Sequence, residues 1–207
     1  NFQALKAAAL AGCEEQGLQD AIYKAIGYLK KVGGSSQSFA YTTANNDPAR
    51  SSGAGKWTMR SVGVLCLQLF GHGKAGEITD ELDRIIADDL PKYSYAKAPS
   101  RSLYGWYYAT NAMFQAQGKH WLVWKRHFQA ELIKNQHEDG YWVYPGNAHS
   151  VGDELSQKVY ATTLNALQLS VFFRYLPTNQ EVVVAKYVKV KKEGGPVVPA
   201  EELDLID

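Results

Sequence analysis

Trp57-Thr-Met-Arg-Ser-Val-Gly-Val-Leu-Cys-Leu-Gln-Leu-Phe-Gly71 decides the fold. Its apolar residues Val62, Val64, Leu65, Cys66, Leu67, Leu69 and Phe70 point to every side of a helix, and a helix apolar on every side is buried on every side. Two further stretches share that character: Leu103 to Gly118, and Val159 to Leu176 with Leu164, Ala166, Leu167, Leu169, Val171, Phe172 and Phe173. Each carries a Gln at the matching place, Gln68, Gln115 and Gln168, at spacings of 47 and 53 residues, so the chain contains a repeat. Phe2 to Gly12 reads as the last part of another copy. Gly12, Gly71 and Gly118 all stand where a helix closes on a left-handed glycine.

Between the copies lie helices of a second kind. Leu18, Ile22, Ala25, Ile26, Leu29 and Val32 form one stripe at helical spacing, with Asp20, Lys24, Lys30 and Lys31 off it. Ile78, Leu82, Ile85, Ile86 and Leu90 repeat the stripe, opened by Thr79 and Asp80 as caps and closed by Pro91. Trp121, Trp124, Phe128 and Leu132 make it a third time. Wholly buried helices therefore alternate with one-faced helices, and the economical packing is an inner ring sheathed by an outer one. The expected fold is all-α, an α/α toroid or part of one. A solenoid would make both helices of each pair about equally amphipathic.

Two connections, Gly33 to Lys56 and Tyr141 to Lys158, exceed the ~12–15 residues beyond which a loop is usually functional. Both lead from an outer to an inner helix and are expected at one end of the barrel. Residues 1–177 form the repeat domain. Residues 178–207 form a C-terminal extension that alternates at Val182, Val184, Lys186, Val188 and Val190, as a strand or short hairpin would, and that is expected to pack on the barrel.

Composition removes several function classes. The formal net charge is +1, against affinity built on nucleic-acid phosphates or anionic lipid. No apolar run approaches the ~20 residues of a membrane span. Cys13 and Cys66 cannot alone make a four-ligand zinc site, and they leave the compartment open. The chain opens at Asn1 inside a helical pattern, so it is expected to lack its native N-terminus.

Gln136-His-Glu-Asp-Gly-Tyr-Trp142, after the third outer stripe, resembles the Q-x-x-x-G-x-W signature of the squalene cyclase and prenyltransferase repeat, with Gln136, Gly140 and Trp142 at the motif positions. Ser38-Phe-Ala-Tyr41 and Tyr93-Ser-Tyr95 are degenerate relatives, each after an outer helix. The motif's expected use is a Gln that caps the helix end under a stacked Trp. Tyr104 to Ala116, Tyr160-Ala-Thr-Thr163 and Phe173-Arg-Tyr-Leu-Pro177 also look like the C-terminal part of bacterial proteins built from these repeats. The resemblance covers about residues 1–180 and implies a terpenoid cyclase-like toroid. A full toroid of that kind takes roughly six helix pairs, whereas about three and a half are present, so the resemblance is to a C-terminal portion. An inner ring so truncated exposes apolar surface, which implies association with a missing N-terminal half or a protein partner.

The resemblance implies an isoprenoid or other apolar ligand, bound or cyclised in an apolar cavity. The acid motifs of the cyclases, D-x-D-D and D-C-T-A-E, do not occur. Asp80-Glu-Leu-Asp83 is the nearest acidic cluster and reads as helix-opening acids at the surface. Asp153 and Glu154 are better placed, in a long loop before a buried helix, and Asp153 is the candidate catalytic acid; the weightier reading is a helix cap. Prenyltransferase-type zinc is not expected, because the Asp that should precede Cys66 is missing and His72, His120, His127, His137 and His149 lack ligand spacing. His120 and His127 are expected to be solvated. Gly53-Ala-Gly-Lys56 fails as a phosphate loop, since Arg50 and Trp57 occupy motif positions and no strand precedes it. No metal or other cofactor follows from the residues. Tyr104, Trp106 and Tyr107 are the candidate ligand-binding residues, because aromatic faces in such a cavity stabilise cations. The alternative is a non-catalytic protein-interaction scaffold, in which these aromatics are plain core. Glycan work by other α/α toroids is fold-level analogy alone.

Overall fold

A computed structural model describes residues 1–13, 15–33, 39, 55–71, 76–96, 102–145 and 151–173 of the chain. The described residues are all-α. Seven helices follow in order: α1 Phe2–Leu10, α2 Leu18–Gly33, α3 Gly55–Leu69, α4 Gly76–Arg84, α5 Ser102–Ala116, α6 Gly118–Lys134 and α7 Glu154–Leu169. The alternating stretch and the rest of the 178–207 extension lie outside the described residues.

Two layers follow from the contacts. The helices of the repeat pack side by side, α1 on α3, α3 on α5 and α5 on α7. The one-faced helices cover them: α2 lies on α1 and α3, α4 on α3, and α6 on α5. Their stripes face inward. Leu18, Ile22, Ile26, Leu29 and Val32 of α2 are buried, as are Ile78 and Leu82 of α4, and Trp121, Trp124, Phe128 and Leu132 of α6. Gly12 and Gly71 take positive φ, +73° and +84°, just beyond α1 and α3, a conformation that a side chain would strain. Gly118 is also left-handed, but it opens α6 rather than closing α5.

Helix α4 begins earlier than Thr79 and continues into a π-helical turn, Ile85–Asp89, and a 3-10 turn, Leu90–Lys92, around Pro91, which has no N–H to donate. The wider π turn brings Asp89 into the interlayer space beside Arg60 of α3. Arg60 Nη1 donates to Asp89 Oδ2 at 2.9 Å, and its Nε lies 3.2 Å from Glu81 Oε2 without the alignment of a hydrogen bond. Burial raises the Asp89 carboxyl above its ordinary range despite the guanidinium beside it. Of the acidic cluster, Asp80 and Asp83 lie at the surface as expected, and Glu81 alone turns inward. Glu81 is nearly buried against Arg60, and Asp83 accepts from His120 Nε2 at 2.7 Å. His120 is buried rather than solvated, because this contact joins α4 to α6. His127 is partly buried too, and its Nε2–H donates to the Tyr93 carbonyl at 2.6 Å.

Inner helices α3 and α5 are buried nearly all round, as their composition predicts. Helix α7 departs from that expectation. Its buried face carries Ala161, Asn165 and Gln168, whereas Leu155 and Val159 are 70% and 57% exposed and Leu167 also reaches solvent. The physical reason is that the polar side chains of α7 satisfy buried donors and acceptors of its neighbours, so its apolar side chains must turn the other way.

Phe39 shows how closely the layers approach. Its buried ring lies against Gly63 of α3, and a Cβ at that glycine would overlap the ring. Gly63→Ala should destabilise the fold by about 2 kcal/mol through overpacking, measured by urea unfolding. An unchanged midpoint would show that Phe39 yields freely.

Candidate functional site

Helix α5 sorts its aromatics by face. Trp106 is fully buried and stacks on Tyr93 with ring centroids 4.1 Å apart and planes at 15°; Tyr93 also meets Trp124 edge-on at 5.4 Å. Tyr93 opens the aromatic pair Tyr93-Ser-Tyr95 that follows the π and 3-10 turns, and those turns deliver it between the layers. The indole Nε1 of Trp106 is buried without a hydrogen-bond partner. Tyr104 and Tyr107 lie elsewhere. Tyr104 is 38% exposed and Tyr107 half-buried, and both rings contact Tyr108, at 4.8 Å and 5.1 Å between centroids. The predicted trio is therefore split: Tyr104 and Tyr107 belong together with Tyr108, and Trp106 belongs to the core.

Other helices extend this phenol cluster. Tyr160 of α7 acts on the same electrostatic neighbourhood as Tyr104 and packs near Tyr144, at 5.9 Å between centroids. Cys66 of α3 neighbours Tyr108. Burial raises the pKa of the Tyr107, Tyr108 and Tyr160 phenols above their ordinary range, and pushes that of the Cys66 thiol up to about 11. At neutral pH these groups are uncharged phenols and a thiol. The Tyr104 hydroxyl donates to that of Tyr108 at 3.4 Å. Such a surface offers aromatic carbon and neutral hydroxyls, with neither a thiolate nucleophile nor a ready proton donor.

Asp153 stands apart in role. Its Oδ1 accepts from the Ser156 backbone N–H at 2.9 Å, it caps α7, and those Ser156 hydrogen bonds hold its carboxyl below the usual carboxylate range. A general acid requires the opposite shift. Of the two readings of Asp153, the geometry is that of the cap.

The repeat-motif residues build a closed turn after α6. Gly140, at φ +88°, lets the chain reverse; its N–H donates to His137 O at 2.8 Å, and His137 N–H donates to Tyr141 O at 2.8 Å. Gln136 Nε2 donates to Gly140 O at 2.9 Å, and Gln136 pairs with Trp142 in an isolated antiparallel bridge. The buried Trp142 donates its indole N–H to Leu132 O at 2.8 Å, and its backbone N–H to Thr162 Oγ1 of α7 at 3.1 Å. The capping role falls to Trp142 rather than Gln136. The reason is reach, since Gln136 is already occupied in closing the turn.

A buried polar network was not expected from the sequence. Tyr93 Oη donates to Gln168 Oε1 at 2.7 Å, and Thr110 Oγ1 donates to the same oxygen at 3.2 Å. Trp124 Nε1 donates to Thr110 Oγ1 at 2.9 Å, Gln168 Nε2 to Asn165 Oδ1 at 3.1 Å, and Asn165 Nδ2 to Tyr95 Oη. Burial holds the Tyr93 phenol far above its ordinary range, so it stays a donor. The sequence held one signal of this: the Gln that recurs in each inner helix. Gln68 also reaches a neighbouring inner helix, donating to Ala112 O at 3.0 Å.

Among the described residues no group of three His, Cys, Asp or Glu side chains is placed to hold a metal ion, and no helix is long and apolar enough to cross a membrane. Comparison with family models, with curated proteins and with solved structures finds no match to this chain.

Two outcomes are expected on stability. Trp142→Phe keeps the ring but leaves Leu132 O without its donor, and should cost about 1–2 kcal/mol in urea unfolding. Gln168→Leu strands the Tyr93 and Thr110 hydroxyls in the core and should cost about 3 kcal/mol or more. A Gln168→Leu variant as stable as the parent would mean that the network contributes nothing net.

Proposed function

We propose that this chain is an α/α repeat protein of the squalene cyclase and prenyltransferase-repeat kind, which binds an isoprenoid or similar apolar ligand along its tyrosine face. The observation that carries this reading is the cluster of Tyr104, Tyr107, Tyr108 and Tyr160, contributed by two inner helices, in which burial keeps Tyr107, Tyr108 and Tyr160 as neutral phenols. Apolar ligands are held by aromatic walls with a few neutral polar groups for orientation. Two further features support the repeat reading: inner and outer helices alternate, and Gln136, Gly140 and Trp142 close the turn between α6 and α7. Closure into a toroid is part of this proposal.

The chain is a binder rather than a cyclase in this reading, because Asp153, its candidate acid, is committed to capping α7 as a carboxylate. A proton for cyclisation would have to come from elsewhere. The second reading, a non-catalytic interaction scaffold, is favoured by one observation, the exposed apolar face of α7.

Native mass spectrometry with farnesol or squalene as probe separates the two. Tyr107→Ala with Tyr108→Ala should weaken retention about tenfold while the circular dichroism is unchanged, an effect of about 1.4 kcal/mol. Trp106→Ala should instead lower stability by about 3–5 kcal/mol, as a core truncation does. Absence of any adduct on the folded parent protein would sink the ligand reading and leave the scaffold.

A further inference from the structure

The tyrosine face carries more hydroxyls than the chain itself uses. Tyr104 is their common neighbour: its ring touches that of Tyr108, and it acts electrostatically on Tyr107, Tyr108 and Tyr160 alike. Its hydroxyl gives a proton to Tyr108 and is left with lone pairs that can accept. Tyr107 and Tyr160 are the reverse. Both are partly buried, and among the described residues neither hydroxyl has a hydrogen-bond partner, so each has a proton to give.

Charge is kept away from this face. Among the described residues, the groups that act on Tyr107, Tyr108 and Tyr160 are phenols and the Cys66 thiol, with no lysine, arginine, histidine or carboxylate. Lys158, two residues before Tyr160 on α7, turns instead to Glu154 at 2.8 Å and to the ring of Tyr141. The opening turn of α7, where an anion could settle, already holds the carboxylate of Asp153.

We propose that the ligand of the tyrosine face is an isoprenoid alcohol, selected over both the hydrocarbon and the diphosphate of the same chain length. This inference rests on the ligand reading above and narrows it. A hydroxyl donates and accepts at once, so it can take a proton from Tyr107 or Tyr160 and give its own to Tyr104. A hydrocarbon laid over the same face strips water from the phenol hydroxyls and returns nothing, which costs about tenfold in affinity for each one so covered. A diphosphate needs cations or free backbone N–H groups around it, and the face supplies hydroxyls. The rings hold the isoprenoid chain whichever headgroup it bears, so the hydroxyls make the choice.

The full chain is titrated in turn with farnesol, farnesene and farnesyl diphosphate, and binding is followed by native mass spectrometry and by quenching of tyrosine and tryptophan fluorescence. Farnesol should bind about tenfold or more tightly than either of the others. Tyr107→Phe with Tyr160→Phe keeps both rings and removes both hydroxyls, and should lower the preference for farnesol over farnesene about tenfold while the circular dichroism is unchanged. If that double variant does not fold, Tyr104→Phe, at the most exposed of the four rings, reads the same preference. Farnesene or farnesyl diphosphate bound as tightly as farnesol overturns this inference alone, and so does a preference that the variants leave untouched. Binding of none of the three overturns the ligand reading and this inference with it.

Discussion

Gln168 Oε1 is the atom on which the packing of this protein turns. It accepts one hydroxyl from Tyr93, which follows the outer helix α4, and one from Thr110 of the inner helix α5, in a place from which water is excluded. The directions are then forced. Trp124 Nε1 of α6 can only donate, so Thr110 Oγ1 accepts from it and turns its own proton to Gln168. The Gln168 amide has its carbonyl occupied, so its nitrogen must donate, and it finds Asn165, which donates in turn to Tyr95. One amide thereby links α7 to α5, α6 and the segment after α4. A buried network of this sort is favourable only when every member is satisfied, which makes it a strong selector of a single register.

The polarity of α7 follows from that demand. A helix that gives its polar residues to the interior has its aliphatic residues left for the outside, and Leu155 and Val159 stand there. The same division separates the aromatics of α5. Trp106 goes to the interlayer space, where Tyr93 lies flat upon it, and Tyr104, Tyr107 and Tyr108 remain on another side with Tyr160 and Cys66 for company. Tyrosine suits this half-buried position. Its ring gives up water readily while its hydroxyl keeps a hydrogen-bonding group at the edge.

A second constraint is shared by the three outer helices. Each is followed by an aromatic that returns between the layers, and each aromatic is received differently: Phe39 by the bare backbone of Gly63, Tyr93 by the face of Trp106 and the oxygen of Gln168, and Trp142 by the carbonyl of Leu132. The common element is geometry, a large planar group closing the gap between an outer helix and the inner helix that follows. The partner differs because the polar atom of each ring differs, and Phe, having none, takes the glycine.

The sequence by itself determined the helices and, α7 apart, their two kinds. Stripes at helical spacing in α2, α4 and α6 are buried along the residues that define them, because a one-faced helix has only one way to hide its apolar side. It also determined that Gln136, Gly140 and Trp142 act as one unit, since a left-handed glycine between them fixes a turn too short to be arranged otherwise. Only the tertiary structure decided the rest. Whether Trp106 or Tyr107 goes into the core depends on where Tyr93 arrives, and Tyr93 is brought by a π-helical turn that no local pattern announces. That Glu81 turns inward between the exposed Asp80 and Asp83 depends on Arg60, which comes from another helix. Apolar periodicity is a property of one helix, but the pairing of buried donors with acceptors belongs to several helices at once, and a linear reading carries no record of which of them meet.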